Sequence, residues 1–411
     1  MTRFYTRPLA TYSRQLILSV ALACAPALAS AQTNATPATT GPASASEVVI
    51  GSVAELSTIP APAVPAKAWL TLDVNSGQVI GANNPAERVE PASLTKIMAA
   101  YVVFDAIKGG RLSLDQEVNV SEKAWRTEGS RMFIDVNSRV TVDQLLQGVI
   151  VQSGNDATVA LAEAVAGSEA AFVALMNEEA QRQGLADTHY TNSPGLPDPQ
   201  HITTVRDLAT LAANLVNDFP EFLHYYSQKE FTYNKIKQPN RNRLLWADPT
   251  VDGLKTGHTS SAGYCLVSTA LRDGRRVVSV LVGAQNDAAR TEASLKLLNW
   301  SYQNFDTIKL YDQGQPAVQA RVWEGEKETV DLGQTTPIWV TVPRGKGPEV
   351  KPIARYTQPL IAPLTKGSEV GEVSLSLDGK VLRQEPLAVM SDVAQAGFFG
   401  RMYDKVRLML Q

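Results

Sequence analysis

Glu90-Pro91-Ala92-Ser93-Leu94-Thr95-Lys96 decides how the rest of the chain is read. The Pro-containing turn leads into a helical pattern over 94–107 that Gly109-Gly110 stops. Serine and lysine stand at i and i+3 of the first turn, so hydroxyl and amine project from one face within hydrogen-bonding reach. A serine attacks only once a base takes its proton. A lysine serves as that base if burial and nearby positive charge bring its pKa toward neutrality. The helix start adds backbone N–H groups that stabilise a developing oxyanion. Alone the motif is weak, because roughly one or two S-x-x-K matches are expected by chance in such a chain.

Two further motifs give it weight. Ser153-Gly154-Asn155 lies between predicted helices, and Lys255-Thr256-Gly257 ends a short predicted strand. An ordinary helix cap accounts for the first taken singly, and an exposed edge strand for the second. Each of the three motifs occurs once, in the order S-x-x-K, S-x-N, K-T-G, on helix start, loop and strand. That order and placement is the signature of active-site serine enzymes acting on penicillins and related acyl donors.

Working outward, alternation over 68–74 passes through Asn75-Ser76-Gly77 into 78–80, a strand–turn–strand pattern. Helical periodicity follows over 94–107, 142–151, 157–165, 170–183 and 204–216. Strand character returns at 253–256, 264–270 and 276–283, the last two joined by the hairpin turn Arg272-Asp273-Gly274-Arg275. A helix over 291–302 closes the segment, with Leu295, Leu298 and Tyr302 inward. Strands at both ends with helices between predict an α+β domain over 66–305, its distant strands meeting in one antiparallel sheet flanked by helices, with a helical subdomain. Short alternating runs at 317–322, 338–342, 355–360 and 370–377 predict a small all-β sandwich over 306–390.

The ends read differently. Residues 1–31 carry Arg3, Arg7 and Arg14, an apolar run over 16–25 and Ala29-Ser30-Ala31, a secretory signal peptide. Its removal takes three arginines and Cys24, moving the net charge from −3 to −6 and leaving Cys265 as the single cysteine. Cys24 fits a lipoprotein signal poorly, and Cys265, in an apolar strand, reads as a packing residue. The Ala/Thr/Pro/Ser stretch 32–65 is expected to be a flexible tether. At the other end, 391–411 places large apolar residues at 398, 399, 402, 403, 406, 409 and 410, opposite Arg401, Asp404, Lys405 and Arg407. This amphipathic C-terminal helix either docks on the protein's own core or lies in a membrane surface. The charge gives no reason to expect nucleic acid, and no cysteine cluster suggests zinc.

The chain resembles the low-molecular-mass penicillin-binding proteins of the D-alanyl-D-alanine carboxypeptidase type. Besides the three motifs, the likeness is carried by Asn240-Arg241-Asn242-Arg243-Leu244-Leu245-Trp246, Val251-Asp252-Gly253-Leu254, His258-Thr259, Ala262-Gly263-Tyr264-Cys265-Leu266-Val267, Asn192-Ser193-Pro194-Gly195-Leu196 and Gly397-Phe398-Phe399-Gly400. It implies a β-lactamase/transpeptidase-like fold for 66–305 and a membrane-anchoring role for the tail. It also implies that Ser93 attacks the carbonyl between the terminal D-alanines of a peptidoglycan stem peptide, with Lys96 as base. Ser153, Asn155 and Lys255 would complete the catalytic network. The backbone N–H groups of Ser93 and His258 would form the oxyanion hole, and Lys255, Thr256, Gly257, His258, Arg241 and Arg290 would bind substrate. Stem peptides, β-lactams and the membrane surface are the implied partners, a homodimer is left open, and neither metal nor organic cofactor is needed. The implied location is the periplasmic side of the inner membrane. A D,D-endopeptidase, a β-lactamase or a non-catalytic wall-binding scaffold are the alternatives. A β-lactamase would need a deacylating glutamate that the segment after the second motif lacks. A Ser–His–Asp triad built on His258 would leave Lys96 and Lys255 without a purpose.

Overall fold

The computed structural model describes residues 51–410. The signal peptide, Cys24 and the first part of the tether lie outside the described residues.

Five antiparallel strands form the central sheet, in the order Val79–Asn83, Ala68–Asp73, Arg275–Ala284, Gly263–Arg272, Val251–Thr259. The strands at the two ends of the catalytic segment therefore pair, as expected, with Leu70 opposite Val280. Asp273 and Gly274 both adopt positive φ (51° and 77°), which matches the twist of a two-residue hairpin. Alternation then sorts the sheet's side chains onto two faces. Leu70, Leu72, Val278, Val280 and Val282 join the helices Thr95–Lys108 and Val205–Asp218 in one core. Trp69, Val277 and Leu281 face the helix Asp287–Asn304 through Leu297, Leu298 and Trp300. The sheet is thus buried on both sides.

The helix Thr95–Lys108 is buried nearly all round and packs against Asn155–Ala166, Glu169–Arg182 and Val205–Asp218, which form the helical subdomain. The helix expected over 142–151 is α-helical only across Val142–Gln147. Gly148–Gln152 widens into a π turn that ends at Ser153 in the left-handed region, φ 65°. Two small strand pairs, Glu117–Asn119 with Arg139–Thr141 and Glu230–Tyr233 with Ile236–Pro239, had no counterpart in the sequence reading.

The C-terminal part is a β sandwich. A six-stranded sheet (order Lys351–Tyr356, Glu369–Leu377, Lys380–Val389, Thr329–Gly333, Pro316–Trp323, Leu360–Ile361) shares a core with the pair Phe305–Tyr311 and Ile338–Pro343. Val322, Leu332, Val340, Val342, Leu375 and Leu387 fill it. The run expected over 355–360 splits, since the ladder ends at Tyr356 and Pro359, with no N–H to donate, precedes the short strand Leu360–Ile361.

Two boundaries move. The tether does not extend to 65. Ser52 caps a turn at Val53–Leu56, and Val53 is buried beside Ile80, Leu244 and Phe305, while Ala61, Val64 and Ala66 cover the Trp69–Leu281–Leu297 cluster. A few apolar side chains suffice to seat a segment whose composition reads as solvated. At the other end, the anchor does not begin at 391. Val393 is buried in the sandwich and bridges to Leu364, and the helix proper is Phe398–Met409. Its polar edge meets the sandwich, where Asp404 Oδ2 accepts from Glu324 N at 2.7 Å and Arg401 Nη1 donates to Gln395 Oε1 at 3.1 Å. Its apolar face has no cover among the described residues. Phe399 and Met409 are each 85% exposed, and no residue of the helix is buried. No single described helix is long and apolar enough to cross a membrane.

Asp73 joins the two parts. Its carboxylate is fully buried, pairs with Arg275 Nε at 2.7 Å, and accepts from Ser76 N at 2.9 Å and Thr307 Oγ1 at 2.6 Å. Ser76 Oγ and Thr307 Oγ1 both meet Thr341 Oγ1, at 2.7 and 2.9 Å, and Gln78 Oε1 accepts from Thr341 N at 2.7 Å. Removing one member of such a pair strands a buried charge. Asp73→Ala should therefore lower the unfolding free energy by about 3 kcal/mol, read from urea denaturation. An unchanged midpoint would show that the pair contributes nothing.

Candidate active site

The turn Ala92–Leu94 feeds the helix Thr95–Lys108 and leaves Ser93 part-exposed at its head. Lys96, one turn on, is 1% exposed. Its Nζ lies 3.1 Å from Ser93 Oγ, 2.7 Å from Asn155 Oδ1 and 2.6 Å from the Pro194 carbonyl. All three neighbours are neutral oxygens. Burial is the main reason its pKa falls to about 7, and the Arg241 guanidinium lowers it further against the opposing pull of Asp156.

Ser153 and Asn155 come from the irregular junction between two helices. The π turn delivers Ser153 with its hydroxyl buried and without a hydrogen-bond partner among the described residues. Asn155 opens the next helix and donates from Nδ2 to the Glu128 carbonyl at 2.6 Å. The loop it touches is fastened by Asp156, fully buried, whose carboxylate accepts from the backbone N–H groups of Met132, Phe133 and Ile134.

Lys255 stands on the edge strand Val251–Thr259, 3% exposed, with Nζ donating to the Thr256 carbonyl at 3.1 Å. Burial drives its pKa well below the ordinary lysine value, reinforced by the charges of Lys96, Arg241 and Arg290. Gly257 explains why the motif ends in glycine: a Cβ there would lie 3.1 Å from the Pro91 carbonyl and 3.3 Å from Leu94 N. The strand runs directly against the turn that carries Ser93. His258 is exposed, with its ring 4.1 Å from that of Tyr264. Cys265 is fully buried, with burial pushing its thiol up to about 11, which suits a packing role.

Ser93, Ser153, Thr256, Gly257, His258, Arg241 and Arg290 line one cavity of about 790 Å³. Lys96, Asn155 and Lys255 are buried behind them. All ten residues singled out from sequence thus belong to one locality. Arg290 is held under the strand, donating to the Cys265 carbonyl at 3.3 Å and paired with Asp287, which also binds Arg243 Nε at 2.5 Å. Arg241 is exposed at the rim. Among the described residues no group of three or more His, Cys, Asp or Glu side chains is placed to hold a metal.

Sequence reasoning did not find several members. Arg243, Asp287 and Trp246 also line the cavity, Trp246 being 51% exposed. The Pro194 and Glu128 carbonyls that orient Lys96 and Asn155 are backbone groups, which carry no side-chain signature. Pro194 is set by the loop 191–196, where Asn192 Oδ1 accepts from Gly195 N and Leu196 N, both at 2.8 Å. Glu169 stands beside this loop, but both its oxygens are engaged: Oε1 by Ser193 N and Oγ at 3.1 and 2.9 Å, Oε2 by Lys123 at 2.7 Å.

Comparison with known proteins agrees with this architecture. A family model described as D-alanyl-D-alanine carboxypeptidase matches residues 55–286, and one described as the C-terminal domain of penicillin-binding protein 5 matches residues 305–395. The D-alanyl-D-alanine carboxypeptidase DacC of Escherichia coli (strain K12) is 44% identical over 359 residues, covering 85% of this chain and 90% of that protein. The DacA enzyme of Haemophilus influenzae is 45% identical over 352 residues, 84% of this chain and 89% of that one. Among solved structures, penicillin-binding protein 5 from Haemophilus influenzae superposes with a TM-score of 0.80 at 43% identity, over 82% of this chain and all (100%) of that one. Penicillin-binding protein D2 from Listeria monocytogenes, solved in its ampicillin-bound form, gives a TM-score of 0.55 at 29% identity over 60% of this chain and 100% of that one. With both its parts matched in order, and the three motifs gathered at one cavity, the chain belongs to the D-alanyl-D-alanine carboxypeptidase family.

Proposed function

We propose that the chain removes the terminal D-alanine from peptidoglycan stem peptides through an acyl-enzyme on Ser93. The observation that carries this reading is the buried, carboxylate-free amine of Lys96, 3.1 Å from Ser93 Oγ with a pKa brought to about 7. Above that pH the free amine takes the Oγ proton as Oγ bonds to the scissile carbonyl carbon. The carbonyl oxygen becomes an oxyanion held by the N–H groups of Ser93 and His258. Ser153, whose buried hydroxyl lacks a partner among the described residues, passes a proton to the departing amine, with Lys255 and Asn155 holding the network. Thr256 and the guanidinium groups of Arg241 and Arg290 receive the substrate's terminal carboxylate. Water, deprotonated by the same amine, then attacks the ester and frees Ser93. A β-lactam would enter by the same route, and the Listeria relative was solved with ampicillin bound.

A second reading, D,D-endopeptidase action on cross-links, is favoured by one observation. The cavity continues past Arg241 to Arg243 and Trp246, giving about 790 Å³ where a terminal D-alanine occupies only a part. The engaged carboxylate of Glu169 supports neither reading of a β-lactamase-type base.

Export through 1–31 would place the enzyme outside the inner membrane. There the uncovered face of Phe398–Met409 would lie in the bilayer surface while its polar edge keeps hold of the sandwich.

A fluorescent penicillin should label the chain once, and Ser93→Ala should abolish the label. Because protonation of Lys96 removes the base, labelling should slow as pH falls through about 7 and level off above it. A rate flat from pH 5 to 9 would contradict a lysine base. Release of D-alanine from a pentapeptide should exceed cleavage of a cross-linked dimer, and the reverse ratio would make the endopeptidase reading the correct one. Deleting 397–411 should release the protein from sedimented membranes with activity on soluble peptide intact, and unchanged pelleting would refute the anchor.

A further inference from the structure

His201 belongs to none of the three motifs, yet it reaches the nucleophile's turn from a loop far away in sequence. It is 2% exposed. Its Nδ1 accepts from Thr191 N at 3.1 Å, which leaves the proton of the neutral ring on Nε2. Nε2 lies 2.8 Å from Thr95 Oγ1, and Thr95 Oγ1 donates to the Ala92 carbonyl at 2.7 Å. The order of donors is therefore Thr191 N–H to imidazole, imidazole N–H to hydroxyl, hydroxyl to carbonyl. Burial, the largest influence, takes the imidazole pKa down to about 4, so the ring keeps this neutral form at any pH where Lys96 is a base.

The carbonyl at the end of this chain is not an arbitrary one. Ala92 C=O and Ser93 N–H are two ends of one planar peptide unit, so holding the oxygen fixes the direction of the N–H. Ala92 sits in the left-handed region at φ 50°, a conformation an alanine adopts only when its surroundings enforce it. Gly195 closes over the same oxygen. With φ 86°, it leaves no room for a side chain, since a Cβ would lie 1.9 Å from Ala92 O and 2.7 Å from Thr95 Oγ1. The neighbouring Pro194 carbonyl holds Lys96. One loop, 191–201, thus sets both the base and the peptide unit that precedes the nucleophile.

We propose that His201 and Thr95 are positioning residues that aim, and by hydrogen-bond polarisation strengthen, the Ser93 N–H that stabilises the oxyanion. The inference rests on Ser93 being the nucleophile and adds the source of its oxyanion donor's orientation. Neither residue touches substrate. Their effect falls on the acylation step and leaves reversible binding alone, because the donor matters most where negative charge develops.

The test separates the acylation rate constant from the preceding binding constant for a fluorescent penicillin, using rapid mixing with the full chain. Thr95→Val keeps shape and removes the hydroxyl. It should slow acylation by about ten- to hundredfold, less than the roughly 10²–10³ lost with a whole oxyanion donor, with the binding constant within about twofold. Thr95→Ser, which restores the hydroxyl, should recover most of the rate. His201→Phe, which keeps a ring and removes its N–H, should match Thr95→Val, and decides the matter if the valine variant does not fold. In each variant the rate should still change near pH 7, since Lys96 is untouched. Wild-type acylation rates in the valine and phenylalanine variants would overturn the proposal, as would a serine variant as slow as the valine one, or a loss confined to binding. Absence of any label on wild-type Ser93 would instead remove the acyl-enzyme reading itself.

Discussion

An ammonium group buried in a protein normally finds a carboxylate. Lys96 is denied one: its amine is enclosed by a hydroxyl, an amide oxygen and a backbone carbonyl. Such a set supplies no counter-charge, so burial and the nearby Arg241 guanidinium prevail and bring the amine to a pKa of about 7, the condition a base near neutral pH requires. Much of the catalytic part serves this enclosure. The helix bearing Lys96 is buried on nearly every side, the π turn brings Asn155 across, and the loop 191–196 folds back to supply the carbonyl of Pro194. Two carboxylates of this part are occupied elsewhere, Asp156 by four backbone N–H groups and Glu169 by Ser193 and Lys123.

What could be read from the sequence follows from which features have short range. Ser93 and Lys96 are three residues apart on one helical turn, so their contact is a matter of helix geometry. The strands over 253–283 announce themselves by alternation and by Asp273-Gly274, whose φ values the turn demands. Other partners carry no local mark. The hydrogen bond from His201 to Thr95 spans 106 residues, and Asn155 meets Glu128 through a backbone oxygen. The strand Lys380–Val389 was missed because Arg383, Gln384, Glu385 and Pro386 interrupt its apolar pattern, and Thr329–Gly333 because its alternation is only five residues long, while their ladders in the sandwich hold both regardless. The seating of Val53 was lost for a related reason: composition averages over a segment, whereas docking needs only one side chain and a place for it.

The sandwich is tied to the catalytic part by more than a linker. Asp73 belongs to a central strand, yet its carboxylate accepts from Thr307, and Arg383 of the sandwich reaches the Trp339 and Ser76 carbonyls. A polar junction of this kind favours one relative orientation, since sliding either part would leave the Asp73 carboxylate and its hydroxyl partners unsatisfied. The terminal helix is joined to the same sandwich through its charged edge, which leaves the apolar face turned outward.

The closeness of Gly257 to the Pro91 carbonyl and Leu94 N has a bearing on drug resistance. On the proposed mechanism, substrate and antibiotic would meet the same wall, and that wall is in contact with the turn carrying Ser93. A side chain at 257 would press on the backbone either side of Ser93 before it could obstruct a β-lactam, and would so be expected to impair turnover of the natural peptide as well. Escape from the antibiotic would then have to come from elsewhere in the cavity, such as the rim around Arg241 and Arg243.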